Sequence, residues 1–180
     1  MTSTLDDTDR KILELLQREA RMTNAAIAAE VGMTAPSVFE RIRKLEQRGV
    51  IQGYTIHVDP AAVGKTLTAF IRLTVDYDER HAAGVDAIRA DPDVLEFHSV
   101  AGEDCFIIKT RVGSPGALDA LVNRLRRRIT VQRSVTMIAL STLKENAPIN
   151  VYGSAPAPEN KSAAGRRSRS TKPGNGNSRR

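Results

Sequence analysis

The sequence lacks several features that mark large protein classes. Tryptophan is absent, aromatic residues are 4% of the chain, and there is one cysteine, Cys105. A lone cysteine closes no internal disulfide and builds no zinc cluster. With so few rings, any core must be aliphatic. No apolar stretch approaches the roughly 20 residues that a membrane-spanning helix needs. The N-terminal residues, Met1 to Asp7, carry acids where a secretory leader carries a basic and then an apolar stretch. No membrane partner is expected, and a cytoplasmic location is.

Charge is abundant, but its excess of one sign is local. The formal net charge is +6. Residues 1–60 hold 8 Lys/Arg against 9 Asp/Glu, residues 61–147 hold 12 against 11, and residues 148–180 hold 7 against 1. The positive excess therefore lies wholly in the C-terminal stretch, and bulk charge says nothing about the rest. That stretch is Pro-, Gly-, Ser- and Asn-rich with little apolar content, too little to offset the entropy of ordering it. It reads as a disordered basic tail, either solubilising or touching phosphates without sequence preference.

The expected domains are 1–60, 61–147 and the tail 148–180. In the first, Leu5, Ile12, Leu15 and Leu16 form a helical stripe behind Thr4 and the acids Asp6, Asp7 and Asp9, which suit a helix N-terminus. Thr23 is a candidate cap for a second helix containing Ile27, Ala28 and Val31, interrupted at Gly32-Met33. Thr34 caps a third, with Pro36 in its first turn, where a missing N–H costs nothing. Val38, Ile42 and Leu45 form its apolar stripe, and Gly49 ends it. Residues 50–58 read as extended chain with a turn at Gln52-Gly53.

Period two follows. Residues 67–77 alternate as a long strand, a short helix spans 82–90, and residues 94–101 and 105–112 are strands joined by a tight turn at Gly102-Glu103-Asp104. A helix with Leu118, Leu121, Val122 and Leu125 inward precedes a last strand over 131–143. The order β-α-β-β-α-β is ferredoxin-like. The fold class is α+β.

The spacing of Ala28, Gly32 and Val38 is what a helix-turn-helix requires: a small residue where two helices cross, a glycine for the turn, and an apolar residue to lock the third helix down. The outward face of that helix then offers Ser37, Glu40, Arg41, Arg43 and Lys44, with Thr34 and Pro36 at its start. Arginine and lysine reach phosphates or guanine edges. Residues 49–58, including Tyr54, would form a wing. Double-stranded DNA is the expected partner.

The run Leu5-Asp-Asp-Thr-Asp-Arg-Lys-Ile-Leu-Glu-Leu-Leu16, with Val38, Arg41, Arg43, Lys44, Leu45, Gly49, Gly53 and Tyr54, resembles the Lrp/AsnC (feast/famine) transcriptional regulators over about residues 4–145. The resemblance implies a winged helix-turn-helix followed by a RAM/ACT-like ferredoxin domain. It also implies an amino-acid effector and dimers that often stack into octamers, on the nucleoid. In that family the effector lies near the turn between the middle strands, here Gly102, Glu103, Asp104 and Cys105. Gly102 would let a carboxylate approach backbone N–H groups, Glu103 or Asp104 would meet an ammonium, and Ser134 and Thr136 would add hydroxyls. The same turn also reads as a plain hairpin. The family pattern carries Asp where this chain has Cys105, which leaves the effector's identity open.

Phe70, Thr136, Ile138 and Leu140 are assigned to the sheet face that the helices leave open, which calls for a second subunit. His57, His81 and His98 lack metal-ligand spacing, and no nucleophile triad or phosphate loop is apparent. No cofactor and no catalytic activity are expected. Arg124-Leu-Arg-Arg-Arg128 reads as a solvated helix end suited to the dipole. The readings kept beside a regulator are a nucleoid-architectural protein and an enzyme like the haem-precursor decarboxylases.

Overall fold

The computed structural model describes residues 5–152. Nine elements appear among them: α1 (Asp7–Arg18), α2 (Asn24–Val31), α3 (Ala35–Gln47), β1 (Leu67–Val75), α4 (His81–Arg89), β2 (Val94–Ser99), β3 (Phe106–Val112), α5 (Pro115–Arg128) and β4 (Val131–Ile138). They form two compact units, one holding the described residues up to Gln52 together with 148–152, the other Gly53–Ala147.

In the first unit each helix begins on a side chain that satisfies its orphan N–H groups. Asp6 accepts from the Asp9 N–H at 2.7 Å, and the Asp9 carboxylate answers from the Asp6 N–H, a capping box. Thr23 and Thr34 cap α2 and α3 through the N–H groups of Ala26 and Ser37. Gly32 closes α2 at φ 66°, left-handed backbone that β-carbons resist. The three helices bury Ile12, Leu13, Leu15, Ile27, Ala28, Val38 and Leu45 against one another. Each such aliphatic side chain contributes about 1.5–3 kcal/mol relative to exposure.

Residues 148–152 also belong to this unit. Gln17 exchanges two hydrogen bonds with Ile149, donating to its carbonyl at 3.1 Å and accepting from its N–H at 2.7 Å. The Arg10 guanidinium meets the Val151 carbonyl, the Tyr152 hydroxyl donates to Glu14 at 3.0 Å, and Val151 packs on the helical core. The stretch read as a tail from 148 thus begins as a strap on α1. Its basic remainder, from residue 153, lies outside the described residues.

The second unit is one antiparallel sheet in the order β2-β3-β1-β4, the ferredoxin-like arrangement. Ala69, Ile71, Leu73 and Val75 of β1, with Phe106, Ile108 and Val112 of β3, face Ile88 of α4 and Leu118, Leu121, Val122 and Leu125 of α5. The helices press close: a β-carbon on Gly84 would stand 2.5 Å from the Arg128 carbonyl oxygen.

Three expectations need correction. Residues 50–58 join no strand among the described residues, and no turn forms at Gln52-Gly53. The last strand stops at Ile138, five residues early. The pairing of Ile71 with Thr136 and Ala69 with Ile138 puts Thr136 and Ile138 on the helix side of the sheet. Leu140 lies beyond the strand. Phe70, opposite Met137, is on the open face as expected, beside Arg72 and Val135. A shift of one residue exchanges the faces. At the edge strand the apolar pattern was too weak to fix the register.

Candidate nucleic-acid interface and ligand turn

Helix α3 is anchored by Val38 and Leu45, at 0% and 1% exposure, with Ile42 packed beside them. A residue advances about 100° around a helix, so burying this stripe turns Pro36, Phe39, Glu40, Arg43 and Lys44 outward, away from the core. Arg43 lies 3.5 Å from Glu40 in a solvent-exposed pair that ties it weakly. The Ser37 hydroxyl is 2.9 Å from that of Thr34, so the two form one polar spot at the helix start.

Arg41 is placed differently. Two residues before Arg43, it lies about 200° away around the helix and turns toward α1. Its guanidinium donates to Asp6 and to Asp9, each at 2.7 Å. The Asp9 N–H, and then Arg41, hold the Asp6 carboxyl below the ordinary carboxylate range, while Asp6 and Asp9 raise the Arg41 pKa further. Here Arg41 joins α3 to the start of α1. Tyr54, grouped with these residues from the sequence, belongs to the second unit.

The turn after β2 has Gly102 at φ 148°, and the space where a side chain would start there is open, with no atom within 4 Å. Glu103 is 84% exposed, with Arg133 at 3.7 Å. Asp104 is buried and already neutralised: Arg72 of β1 donates to it at 2.5 Å and Arg133 of β4 at 3.2 Å. The Cys105 N–H donates to the Leu73 carbonyl at 2.9 Å, and its own carbonyl accepts from the Val100 N–H at 3.0 Å. Its half-buried thiol is 3.9 Å from the Val75 carbonyl. Ser134 pairs with Leu73 and Thr136 with Ile71, on the helix side, whereas Arg72 and Arg133 stand on the open face. The sheet therefore separates the two hydroxyls from the Asp104 cluster. The Ser134 hydroxyl is buried with no hydrogen-bond partner among the described residues.

Sequence reasoning missed the ion network that holds this unit together. The fully buried Asp91 carboxylate takes Arg124 at 2.7 and 3.0 Å and Arg128 at 2.8 Å, and Asp93 takes Arg124 and Lys65. Two members of the arginine run are thus structural, not solvated. The signal was available, since Arg124 and Arg128 are four residues apart on one helix face. No group of three metal-ligating side chains occurs among the described residues. No described helix is long and apolar enough to cross a membrane.

Residues 5–52 match the family pattern of a winged helix-turn-helix DNA-binding domain, and residues 68–149 match the Lrp/AsnC ligand binding domain. The chain belongs to the Lrp/AsnC family of transcriptional regulators. The transcriptional regulator LrpA of Mycobacterium tuberculosis is 34% identical over 138 residues, 77% of this chain and 92% of that one. The leucine-responsive regulatory protein of Salmonella typhimurium is 30% identical, over 79% and 88% of the two chains. Among solved structures, a Neisseria meningitidis regulator in complex with L-methionine superposes with a TM-score of 0.77 at 26% identity, covering 81% of this chain and 96% of that one. An Lrp/AsnC regulator binds DNA through its N-terminal domain and carries its ligand-binding domain behind it, the order of the two units here.

Proposed function

We propose that this regulator acts as a symmetric oligomer, a dimer at least, that sets two α3 helices in successive major grooves and answers to an amino acid held at the 102–105 turn. The observation that carries this reading is the division of α3. Its aliphatic stripe is spent on the core, leaving Arg43, Lys44, Glu40 and Phe39 to solvent. Arg43 and Lys44 supply the groove contacts, and Thr34 and Ser37 meet a phosphate near the helix N-terminus. Arg41 positions the helix through Asp6 and Asp9. Dimer formation is supported by Ile56 and Val58, which are 79% and 55% exposed on a segment that joins no strand among the described residues.

For the effector, the open space at Gly102 suits the close approach of a carboxylate. Glu103, exposed and only distantly paired, suits an ammonium better than Asp104, whose charge two guanidinia already balance. Relatives solved with L-methionine support an amino acid as the ligand class. Selection of duplexes from random sequence, followed by footprinting with and without amino acids, tests the whole reading. Two protected half-sites about one helical turn apart, with a footprint altered by one amino acid, are expected. Unselective binding along the duplex would remove the operator assignment.

A further inference from the structure

We propose that Phe39 is the residue by which α3 reads thymine, its ring resting against 5-methyl groups in the major groove. The inference rests on the DNA-binding assignment of α3 and adds a specific reader to it. Of the four phenylalanines, Phe70, Phe97 and Phe106 are buried or half-buried in the sheet unit, whereas Phe39 is 53% exposed. A single exposed apolar side chain is common on protein surfaces; Phe39 is set apart by its place among the outward cations of α3.

Position and charge select the partner. Phe39 stands on the solvent-exposed flank of α3 away from Arg41, beside Pro36, three residues before it, and Arg43, four after it. A second copy of the same face would bring Arg43 and Lys44 against their own counterparts, which repel. A duplex reverses the sign: phosphates attract those cations, and the one apolar group on a major-groove edge is the thymine methyl. Arg41, the other arginine of α3 able to read guanine, is held by Asp6 and Asp9. Base discrimination from the outward side therefore falls to Glu40, Arg43, Lys44 and Phe39, and of these four only Phe39 is apolar.

The test uses the full chain and the duplex it selects from random sequence. Each thymine is replaced singly by deoxyuridine, which removes only the methyl group, and affinity is measured for the wild type and for Phe39→Ala. At one or more thymines per half-site the wild type should lose about fourfold, the worth of burying one methyl group. Phe39→Ala should lose nothing further there. Its melting temperature and salt slope should match the wild type, because neither the core nor a phosphate contact is touched. Equal deoxyuridine sensitivity in both proteins, or none in the wild type, overturns the proposal. So does a dimer that dissociates on Phe39→Ala, since the ring would then belong to a subunit contact. A wild type that selects no sequence fails at the DNA reading itself and takes this inference with it.

Discussion

The outer side of α3 and the sheet unit use charge in opposite ways. In the helical unit the outer side of α3 keeps Arg43 and Lys44 exposed, with only a loose Glu40 contact on Arg43. In the sheet unit cations are drawn into compact clusters: Arg72 and Arg133 on Asp104, Arg124 and Arg128 on Asp91, Lys109 and Arg111 on Glu145. One arrangement keeps its charge for a partner. The other uses it to hold strands and helices together, with Glu103 left as the exposed acid of the ligand turn.

Breaking the best-buried cluster should have the largest effect. Asp91→Ala leaves two guanidinia without their shared carboxylate and should cost the sheet unit about 3 kcal/mol. Urea unfolding followed by far-UV circular dichroism measures it, and a loss under about 0.5 kcal/mol would show the cluster to be incidental. Next comes the helix approach in the same unit. Gly84→Ala forces a β-carbon onto the Arg128 carbonyl and should cost about 1–3 kcal/mol by the same assay. Wild-type stability would mean that α4 and α5 separate freely.

Acid should sharpen the contrast. Asp91, Asp93 and Glu145, each less than a third exposed, are held below their ordinary pKa values, first of all by Arg124, Lys65 and Lys109 respectively. Depressed folded values mean stability that is fully present above the unfolded carboxylate range, about 4, and lost as pH falls through the folded values. In the helical unit Asp6 and Glu14 are lowered too, but both are at least a third exposed and their pairs are screened. Hydrogen exchange between about pH 5 and pH 3 should therefore rise more in Gly53–Ala147 than in α1–α3. Equal rises in both would contradict the comparison.

The same contrast explains what was legible beforehand. The helix-turn-helix depends on spacings within one short stretch, Ala28 to Gly32 to Val38, and the caps Thr23 and Thr34 stand where the residue types require. The sequence of elements in the sheet unit, β-α-β-β-α-β, was legible from alternation and helical stripes. The face of β4 was not, because Met137 and Ile138 are adjacent, both apolar and both about half exposed, so either parity fits. The fates of Arg41 and Arg43 were separable in principle, since residues two apart do not share a helix face. What stayed hidden was the acceptor pair, Asp6 and Asp9, more than 30 residues earlier. The separation of Ser134 and Thr136 from Asp104 across the sheet was not legible either, because it depends on a register that no local pattern sets.

The claim at the centre is that the outer side of α3 faces a duplex. Its most direct test is the salt dependence of operator affinity for the double variant Arg43→Ala/Lys44→Ala against the wild type. Two lost phosphate or base contacts should weaken binding at least about tenfold at low salt and reduce the logarithmic salt slope by up to about two, with melting unchanged. Wild-type affinity and slope in the double variant would contradict it.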